Sequence, residues 1–203
     1  MTGIKLCGLS RPCDIEAANA LLPEYIGFVF AEKSRRRVTF EQAAELKKLL
    51  APGIKAVGVF VNERPETVAQ LLNADIIDLA QLHGDEDGEY IKRLRALSPK
   101  PIIQAFRISG AEDLLYAAGS SADYVLLDSG AGTGTAFDWD IIRNIDRPYF
   151  LAGGLDPKNV GKAVRTLHPY AVDVSSGIET GGLKDRGKMA EFTAAVRKED
   201  NNI

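Results

Sequence analysis

Cysteine and histidine are scarce in this sequence of 203 residues, which has two of each. Cys7 and Cys13 are separated by residues 8–12, a spacing that matches neither a disulfide framework nor a CxxC pair. His83 and His168 lie far apart in the sequence, so no His/Cys cluster has the spacing of a metal site. We therefore expect that the protein binds no metal ion.

Long apolar runs and an excess of positive charge are also lacking. The apolar runs, such as 25–30 and 57–61, are far shorter than the ~20 residues that span a bilayer, and the first residues lack the apolar core of a signal peptide. The net charge of −3, without a basic stripe, argues against nucleic acid or a membrane surface as the main partner. We expect a cytoplasmic protein in which an anionic substrate needs a local site.

Short β-branched runs alternate with segments of helical periodicity along the chain. Several runs are apolar at consecutive positions, which is typical of parallel strands buried on both faces. The step from one run to the next is roughly 20 to 30 residues, the size of a βα unit. No linker interrupts the pattern, which predicts a single domain over residues 1–203 with a disordered tail at 199–203. The eight predicted strands are 4–9, 25–30, 54–61, 76–83, 101–108, 124–128, 149–153 and 171–175.

Two of the intervening helices have clear start signals. Thr39 is followed three residues later by Gln42, the spacing of a capping box. Asp156 and Pro157 have the pattern of an N-cap and a first-turn proline, and Val160, Ala163, Val164 and Leu167 then fall on one helical face. Eight βα units fit either a closed (β/α)8 barrel or an open doubly wound sheet.

Three chemically capable side chains end predicted strands, where ligands bind in both architectures. Asp128 closes an otherwise apolar strand, so partial desolvation can raise its pKa and make it a general acid, although an aspartate there can also cap a turn. Cys7 is a candidate base or nucleophile if its thiolate is favoured, and otherwise a small buried hydrophobe. His83 can bond a substrate or cap its strand.

Glycines and arginines at other strand ends indicate anion binding. Gly153 and Gly154 follow the seventh strand, and Ser176 and Gly177 follow the eighth, where loops of barrels commonly hold a phosphate. A phosphorylated substrate is therefore predicted. The arginines at 35–37 follow the second strand, where a planar guanidinium can bind a carboxylate, although such runs are usually solvated. The glycine-rich segment 130–135 is long for a βα turn and fits a loop that closes over a substrate.

Ten motifs in chain order resemble the phosphoribosylanthranilate isomerase family of the ribulose-phosphate-binding barrel superfamily. Together they extend over essentially the whole chain. They are KLCGL at 5–9, GFVF at 27–30, SRRRV at 34–38, GVFVN at 58–62, QLHG at 81–84, LLD at 126–128, GTG at 132–134 with FDW at 137–139, LAGGL at 151–155 with NV at 159–160, VDVSSGIE at 172–179 and GLKD at 182–185.

The resemblance implies a single compact (β/α)8 barrel and an Amadori rearrangement in tryptophan biosynthesis. The substrate would be N-(5-phosphoribosyl)anthranilate and the product 1-(2-carboxyphenylamino)-1-deoxyribulose 5-phosphate. Asp128 matches the family's general acid, which protonates the furanose ring oxygen, and Cys7 matches the base that removes the C2′ proton. The substrate imine itself serves as the electron sink, so no metal or cofactor is expected.

Substrate-binding roles are implied for six further residues. Arg36 matches the position that recognises the anthranilate carboxylate, with His83 lining the same pocket, and the phosphate would be held by Gly153, Gly154, Ser176 and Gly177. We further expect a positively charged neighbour to lower the pKa of Cys7, and Lys5 lies on the same face of the strand. A monomer or homodimer is expected.

Two other kinds of protein are compatible with parts of the pattern. The aminoaldose isomerase of histidine biosynthesis uses the same chemistry with two aspartates, and Cys7 at the end of the first strand argues against it. A non-catalytic domain that senses a phosphorylated ligand needs the phosphate loops but has no requirement for both Cys7 and Asp128. A dinucleotide-binding sheet needs a glycine fingerprint after the first strand, and none is present there.

Overall fold

Eight parallel strands form a closed barrel in which each strand pairs with the next and β8 pairs with β1. The computed structural model describes residues 1–128, 139–142 and 145–200. The barrel confirms the fold expected from the sequence and excludes the open sheet, although most of the strands are shorter than predicted. The strands are β1 (Gly3–Cys7), β2 (Tyr25–Val29), β3 (Lys55–Phe60), β4 (Leu79–Leu82), β5 (Ile102–Arg107), β6 (Tyr124–Asp128), β7 (Tyr149–Ala152) and β8 (Ala171–Val174).

Helices follow the strands and cover the outside of the barrel. The capping box that opens α2 is confirmed, because the Thr39 hydroxyl accepts from the Gln42 amide and the Gln42 side chain accepts from the Thr39 amide. The helices are α1 (Pro12–Leu21), α2 (Phe40–Lys48), α3 (Pro65–Asn73), α4 (Gly88–Leu97), α5 (Ala111–Ala118), α6 (Trp139–Ile142), α7 (Val160–Leu167) and α8 (Arg186–Asp200).

Two predictions about the helical part of the chain also differ from the structure. α7 begins at Val160 rather than directly after Asp156, because Asp156 caps a separate turn by accepting from the amides of Lys158 and Asn159. The four apolar positions of α7 are buried as predicted. α8 extends to Asp200 and buries Glu199, so the predicted tail does not begin at residue 199, and residues 201–203 lie outside the described part of the chain.

The core has two layers because the strands are buried on both faces. Side chains on the outer faces, such as Leu6 and Val172, pack with helix residues such as Val164 and Phe192. Side chains on the inner faces, including Val57, Leu79, Ile103 and Leu126, fill the barrel itself. This consecutive burial explains the apolar runs of the sequence.

Four aromatic rings close the amino-terminal end of the barrel, and we call this layer the aromatic floor. Tyr25 and Tyr124 meet the ring of Phe150 edge-on at centroid distances of 5.3 and 5.7 Å. Tyr170 stacks on Tyr124 at 5.0 Å, and its hydroxyl lies 3.1 Å from that of Tyr25. The aromatic floor thus fills the end of the barrel opposite the one where ligands bind in this architecture.

The predicted glycine-rich loop at 130–135 lies outside the described residues. Within the described ranges, no helix combines the length and the apolar character needed to cross a membrane.

Candidate active site

A cavity of about 670 Å³ opens at the carboxyl-terminal end of the barrel. Residues from all eight strands or the loops that follow them line it, as the barrel architecture requires. Seven of the eight site residues predicted from the sequence are among them: Cys7, Arg36, His83, Asp128, Gly153, Gly154 and Ser176. Gly177, which follows Ser176 in the loop after β8, is not among the lining residues.

Cys7 is the last residue of β1 and is buried, with 7% of its surface exposed. Gly27 in the neighbouring strand makes room for the thiol, because a Cβ at that position would lie 2.6 Å from Sγ. Lys5, on the same inner face, is fully buried, and its Nζ lies 2.9 Å from a carboxylate oxygen of Asp173. The site therefore places an ammonium and a carboxylate beside the thiol.

Burial raises the pKa of the Cys7 thiol, while Lys5 lowers it and Asp173 opposes Lys5. The expected positively charged neighbour is therefore present and acts in the expected direction, but burial outweighs it and the pKa of Cys7 is raised overall. The reason is that the ammonium is already paired with Asp173, whereas burial removes water from the thiolate.

Asp128 ends β6 with its side chain about one third exposed, at 30%. His83 follows β4, and its Nε2 lies 3.7 Å from an Asp128 carboxylate oxygen. The Gln81 side chain lies 2.8 Å from His83 Nδ1. The contact joins Gln81 Nε2 to Nδ1, which leaves Nε2 as the ring nitrogen that faces the Asp128 carboxylate.

Arg36 is the member of the 35–37 run that lines the cavity. Its Nε lies 2.5 Å from Oε1 of Glu179 and its Nη2 lies 3.0 Å from Oε2, a two-pronged ion pair. Arg35 also donates to Glu179, at 2.8 Å, but its side chain is 62% exposed. The Ser34 hydroxyl accepts from the Arg36 amide and shapes the turn after β2.

Glu179 lies on a short hairpin that follows β8 and consists of β9 (Glu179–Thr180) and β10 (Leu183–Lys184). Gly181 and Gly182 join the two strands with φ values of 60° and 82°, as a two-residue turn with left-handed backbone requires. This turn sets Lys184 opposite Glu179, and Lys184 Nζ donates to Oε1 at 2.7 Å. Lys184 also donates to the Ser175 carbonyl at 2.8 Å, which ties the hairpin to the end of β8.

The charges around Glu179 give this side of the cavity a local positive excess. Three cationic groups, from Arg35, Arg36 and Lys184, meet a single carboxylate. Burial of Glu179 alone would raise its pKa, but hydrogen bonds from Arg36 and Lys184 outweigh burial and lower the pKa to about 2. A chain with a net charge of −3 therefore still offers an anion a favourable site.

The loops after β7 and β8 approach each other closely. Gly153 and Gly154 have φ values of 96° and 61°, which favour glycine, and the Asn159 side chain donates to the Gly154 carbonyl at 2.8 Å. A Cβ on Gly177 would lie 2.0 Å from the Leu155 carbonyl oxygen. Gly177 thus permits the two loops to pack, and a short 3₁₀ turn (Ser176–Ile178) begins there.

Sequence reasoning assigned no role to Glu179 or Lys184, although both lie in the quoted motifs. The signal that finds them is the Gly-Gly pair between two-residue extended segments, which predicts a hairpin and sets residues 179 and 184 opposite each other. Throughout the described ranges, no three His, Cys, Asp or Glu side chains are grouped to hold a metal ion.

Comparison with known proteins identifies a family for this chain. A family model described as N-(5'phosphoribosyl)anthranilate (PRA) isomerase matches residues 4–195. The N-(5'-phosphoribosyl)anthranilate isomerase of Endomicrobium trichonymphae is 42% identical over 202 residues, which cover 97% of this chain and 99% of that protein.

Solved structures agree with this result. The crystal structure of phosphoribosyl anthranilate isomerase from Thermotoga maritima superimposes with a TM-score of 0.90 at 33% identity, covering 98% of this chain and 100% of that chain. A structure of phosphoribosyl anthranilate isomerase in complex with reduced 1-(o-carboxyphenylamino)-1-deoxyribulose 5-phosphate has a TM-score of 0.88 at 33% identity, with coverage of 98% and 100%.

Proposed function

The chain belongs to the N-(5'-phosphoribosyl)anthranilate isomerase family, and we propose that it catalyses this isomerisation with Cys7 as general base and Asp128 as general acid. It converts N-(5-phosphoribosyl)anthranilate to 1-(2-carboxyphenylamino)-1-deoxyribulose 5-phosphate in tryptophan biosynthesis. The observation that carries the assignment of roles is that Cys7 and Asp128, from strands on different sides of the barrel, line one cavity together with Arg36 and the loops after β7 and β8.

The reaction begins with opening of the ribose ring. Asp128 donates a proton to the ring oxygen as the C1′–O bond breaks, and the nitrogen lone pair forms a cationic imine with C1′. The Cys7 thiolate then removes the C2′ proton, and the electrons of the C–H bond form the C1′–C2′ double bond while the imine π electrons neutralise the nitrogen. The resulting enolamine tautomerises to the ketone.

The raised pKa of Cys7 bears directly on the second step. A buried thiol is mostly protonated in the resting enzyme, so it must first release its proton to solvent through the open cavity, and the thiolate must be favoured when the substrate is bound. Formation of the cationic imine supplies positive charge in the cavity at that stage, and Lys5 adds a permanent one. Both charges favour the thiolate when the proton on C2′ is most acidic.

Binding energy comes from the two anionic ends of the substrate. Arg36 pairs with the anthranilate carboxylate, and His83 lines the same part of the cavity. The phosphate is bound by Gly153, Gly154 and Ser176, with Gly177 allowing the two loops to approach. These remote contacts fix the ribose between the acid and the base.

The direct test is the loss of anthranilate-type fluorescence when freshly made phosphoribosylanthranilate is mixed with purified protein in the presence of a metal chelator. We expect wild-type turnover under these conditions. Binding of a product analogue without turnover would contradict catalysis and favour a protein that senses its ligand. Sedimentation of the same preparation tests the predicted monomer or homodimer, and cell fractionation tests the predicted cytoplasmic location.

A further inference from the structure

We propose that Glu179 is a positioning residue: its carboxylate binds one edge of the Arg36 guanidinium and thereby orients the other edge toward the substrate carboxylate. The inference rests on the proposed function, because it assumes that Arg36 binds the anthranilate carboxylate. Glu179 thereby becomes part of the substrate site, and the hairpin after β8 contributes to ligand selectivity.

The Arg36–Glu179 ion pair uses only one edge of the guanidinium. A guanidinium can hold a carboxylate on its side edge, with Nε and Nη2, or on its end edge, with Nη1 and Nη2. Glu179 occupies the side edge of Arg36, with distances of 2.5 Å to Nε and 3.0 Å to Nη2. A second carboxylate that enters the cavity therefore meets the end edge.

Glu179 is itself held in place from several directions. Lys184 donates to Oε1 at 2.7 Å, Arg35 donates to Oε2 at 2.8 Å, and Lys188 donates to the Glu179 carbonyl at 2.6 Å. The side chain is only 4% exposed. Because the carboxylate is fixed before any ligand arrives, it can act as a rigid support for the long and otherwise flexible arginine side chain.

The benefit to binding is that the arginine is ordered in advance. A free arginine side chain loses rotamer entropy when it is immobilised, and this loss weakens ligand binding when it occurs on complex formation. In this chain the Glu179 pair imposes the order during folding. The positive excess supplied by Arg35 and Lys184 keeps the Arg36 edge attractive to an anion despite the nearby carboxylate.

Two other roles of Glu179 would have different effects on binding. If Glu179 merely neutralises Arg36 until the substrate displaces the Glu179 carboxylate, removing the charge of Glu179 must tighten the binding of carboxylate ligands. If Glu179 only stabilises the hairpin, removing its charge must weaken all ligands of the cavity equally. Pre-positioning predicts weaker binding only for ligands that carry the carboxylate.

The test compares Glu179→Gln with wild type in calorimetric titrations of two ligands. Reduced 1-(o-carboxyphenylamino)-1-deoxyribulose 5-phosphate carries both anionic groups, and ribulose 5-phosphate lacks the carboxylate. We expect the variant to bind the first ligand about tenfold more weakly, as for loss of one charge-assisted hydrogen bond, and to bind the second as wild type does. In an Arg36→Met background, Glu179→Gln should have no further effect on the first ligand.

Glu199→Gln is the matched control. Glu199 is as buried as Glu179, with 6% side-chain exposure, and it pairs with Arg165 between α7 and α8, away from the cavity. We expect it to lower stability without changing either affinity. Equal weakening of both ligands by Glu179→Gln, tighter binding of the first, or no change would each overturn the proposed positioning while leaving the proposed function intact. Failure of wild type to bind the carboxylate ligand or to turn over the substrate would overturn the proposed function itself.

Discussion

Lys5 and Asp173 face each other in register across β1 and β8, with Nζ 2.9 Å from the carboxylate, at the level just beneath Cys7. Lys5 is fully buried and Asp173 is nearly so, with 10% of its side chain exposed. The pair closes the barrel where its first and last strands meet. An ion pair in this position affects both the stability of the barrel and the charge next to the thiol.

Lys5→Met should be strongly destabilising, because it leaves the Asp173 carboxylate buried without its cation. We expect a loss of about 3–5 kcal/mol in the free energy of unfolding measured in urea. Lys5→Met combined with Asp173→Leu should recover most of that loss, since an apolar pair of similar size removes the unpaired charge. Equal instability of the single and double variants would contradict the role of the unpaired carboxylate.

Cys7→Ala and Asp128→Asn should each lower kcat by at least ~10²-fold, the low end for removing a general acid or base. Neither change should unfold the protein, because both side chains border the cavity. Cys13→Ala is the matched control, since this exposed cysteine lies in α1 and not in the cavity, and it should keep wild-type rates. Fluorescence assays at saturating substrate measure all three, and wild-type activity in either catalytic variant would refute the assigned pair.

Alkylation of Cys7 by iodoacetamide should reach half of its limiting rate only above about pH 8.5, the usual pKa of cysteine. Burial raises the pKa of this thiol, and alkylation requires the thiolate. A Cys13→Ala background isolates the signal. In the Lys5→Met/Asp173→Leu variant the midpoint should move to still higher pH, because the lowering effect of Lys5 exceeds the opposing effect of Asp173. A midpoint below that of an ordinary thiol would contradict the dominance of burial.

Gly177→Ala should lower the free energy of unfolding by about 1–3 kcal/mol, the usual cost of inserting an atom into a packed site. The added Cβ would lie 2.0 Å from the Leu155 carbonyl oxygen, so the loop after β7 must shift. We expect weaker inhibition by inorganic phosphate for the same reason. Gly88→Ala is the control, because no atom lies within 4 Å of its new Cβ and the residue begins α4; it should leave inhibition unchanged and should not lower stability.

The stabilising effect of the Glu179 carboxylate should disappear in acid. Its pKa is lowered from an ordinary 4.5 to about 2, so its contribution is complete above pH 4.5 and is lost as the pH falls toward 2. The difference in free energy of unfolding between wild type and Glu179→Gln should therefore be constant at neutral pH and shrink across that window. A difference that is the same at both ends of the window would contradict the ion pairs that depress this pKa.

The fold was predictable because the apolar runs, their spacing and the helix start signals all indicate the same series of βα units. Strand β6 was assigned at its exact bounds from four apolar residues closed by Asp128, and the capping box at Thr39 was confirmed in detail. The start of α7 was missed because an Asp-Pro pair can open an isolated turn as well as a helix. Local spacing cannot distinguish the two, since the choice depends on how Asn159 bonds to the Gly154 loop.

The residues that line the candidate site were predictable from the sequence, but the electrostatics of the site were not. Position at a strand end is a property of the sequence pattern, and it brought Cys7, His83 and Asp128 to one cavity. The pKa of Cys7 depends on the depth of burial and on the pairing of Lys5 with a residue 168 positions away. The Glu179 pair depends in the same way on a contact between two loops. Such long-range distances are not encoded in local spacing.

The aromatic floor has a consequence for how the protein handles its ligands. Because these rings and the other inner-face side chains fill the barrel below the cavity, substrate enters and product leaves by the same opening. The two molecules are isomers with the same phosphate and the same carboxylate, so they compete for the same anchors. Accumulated product should therefore slow the enzyme, and the flux through it should depend on how quickly the next reaction removes that product.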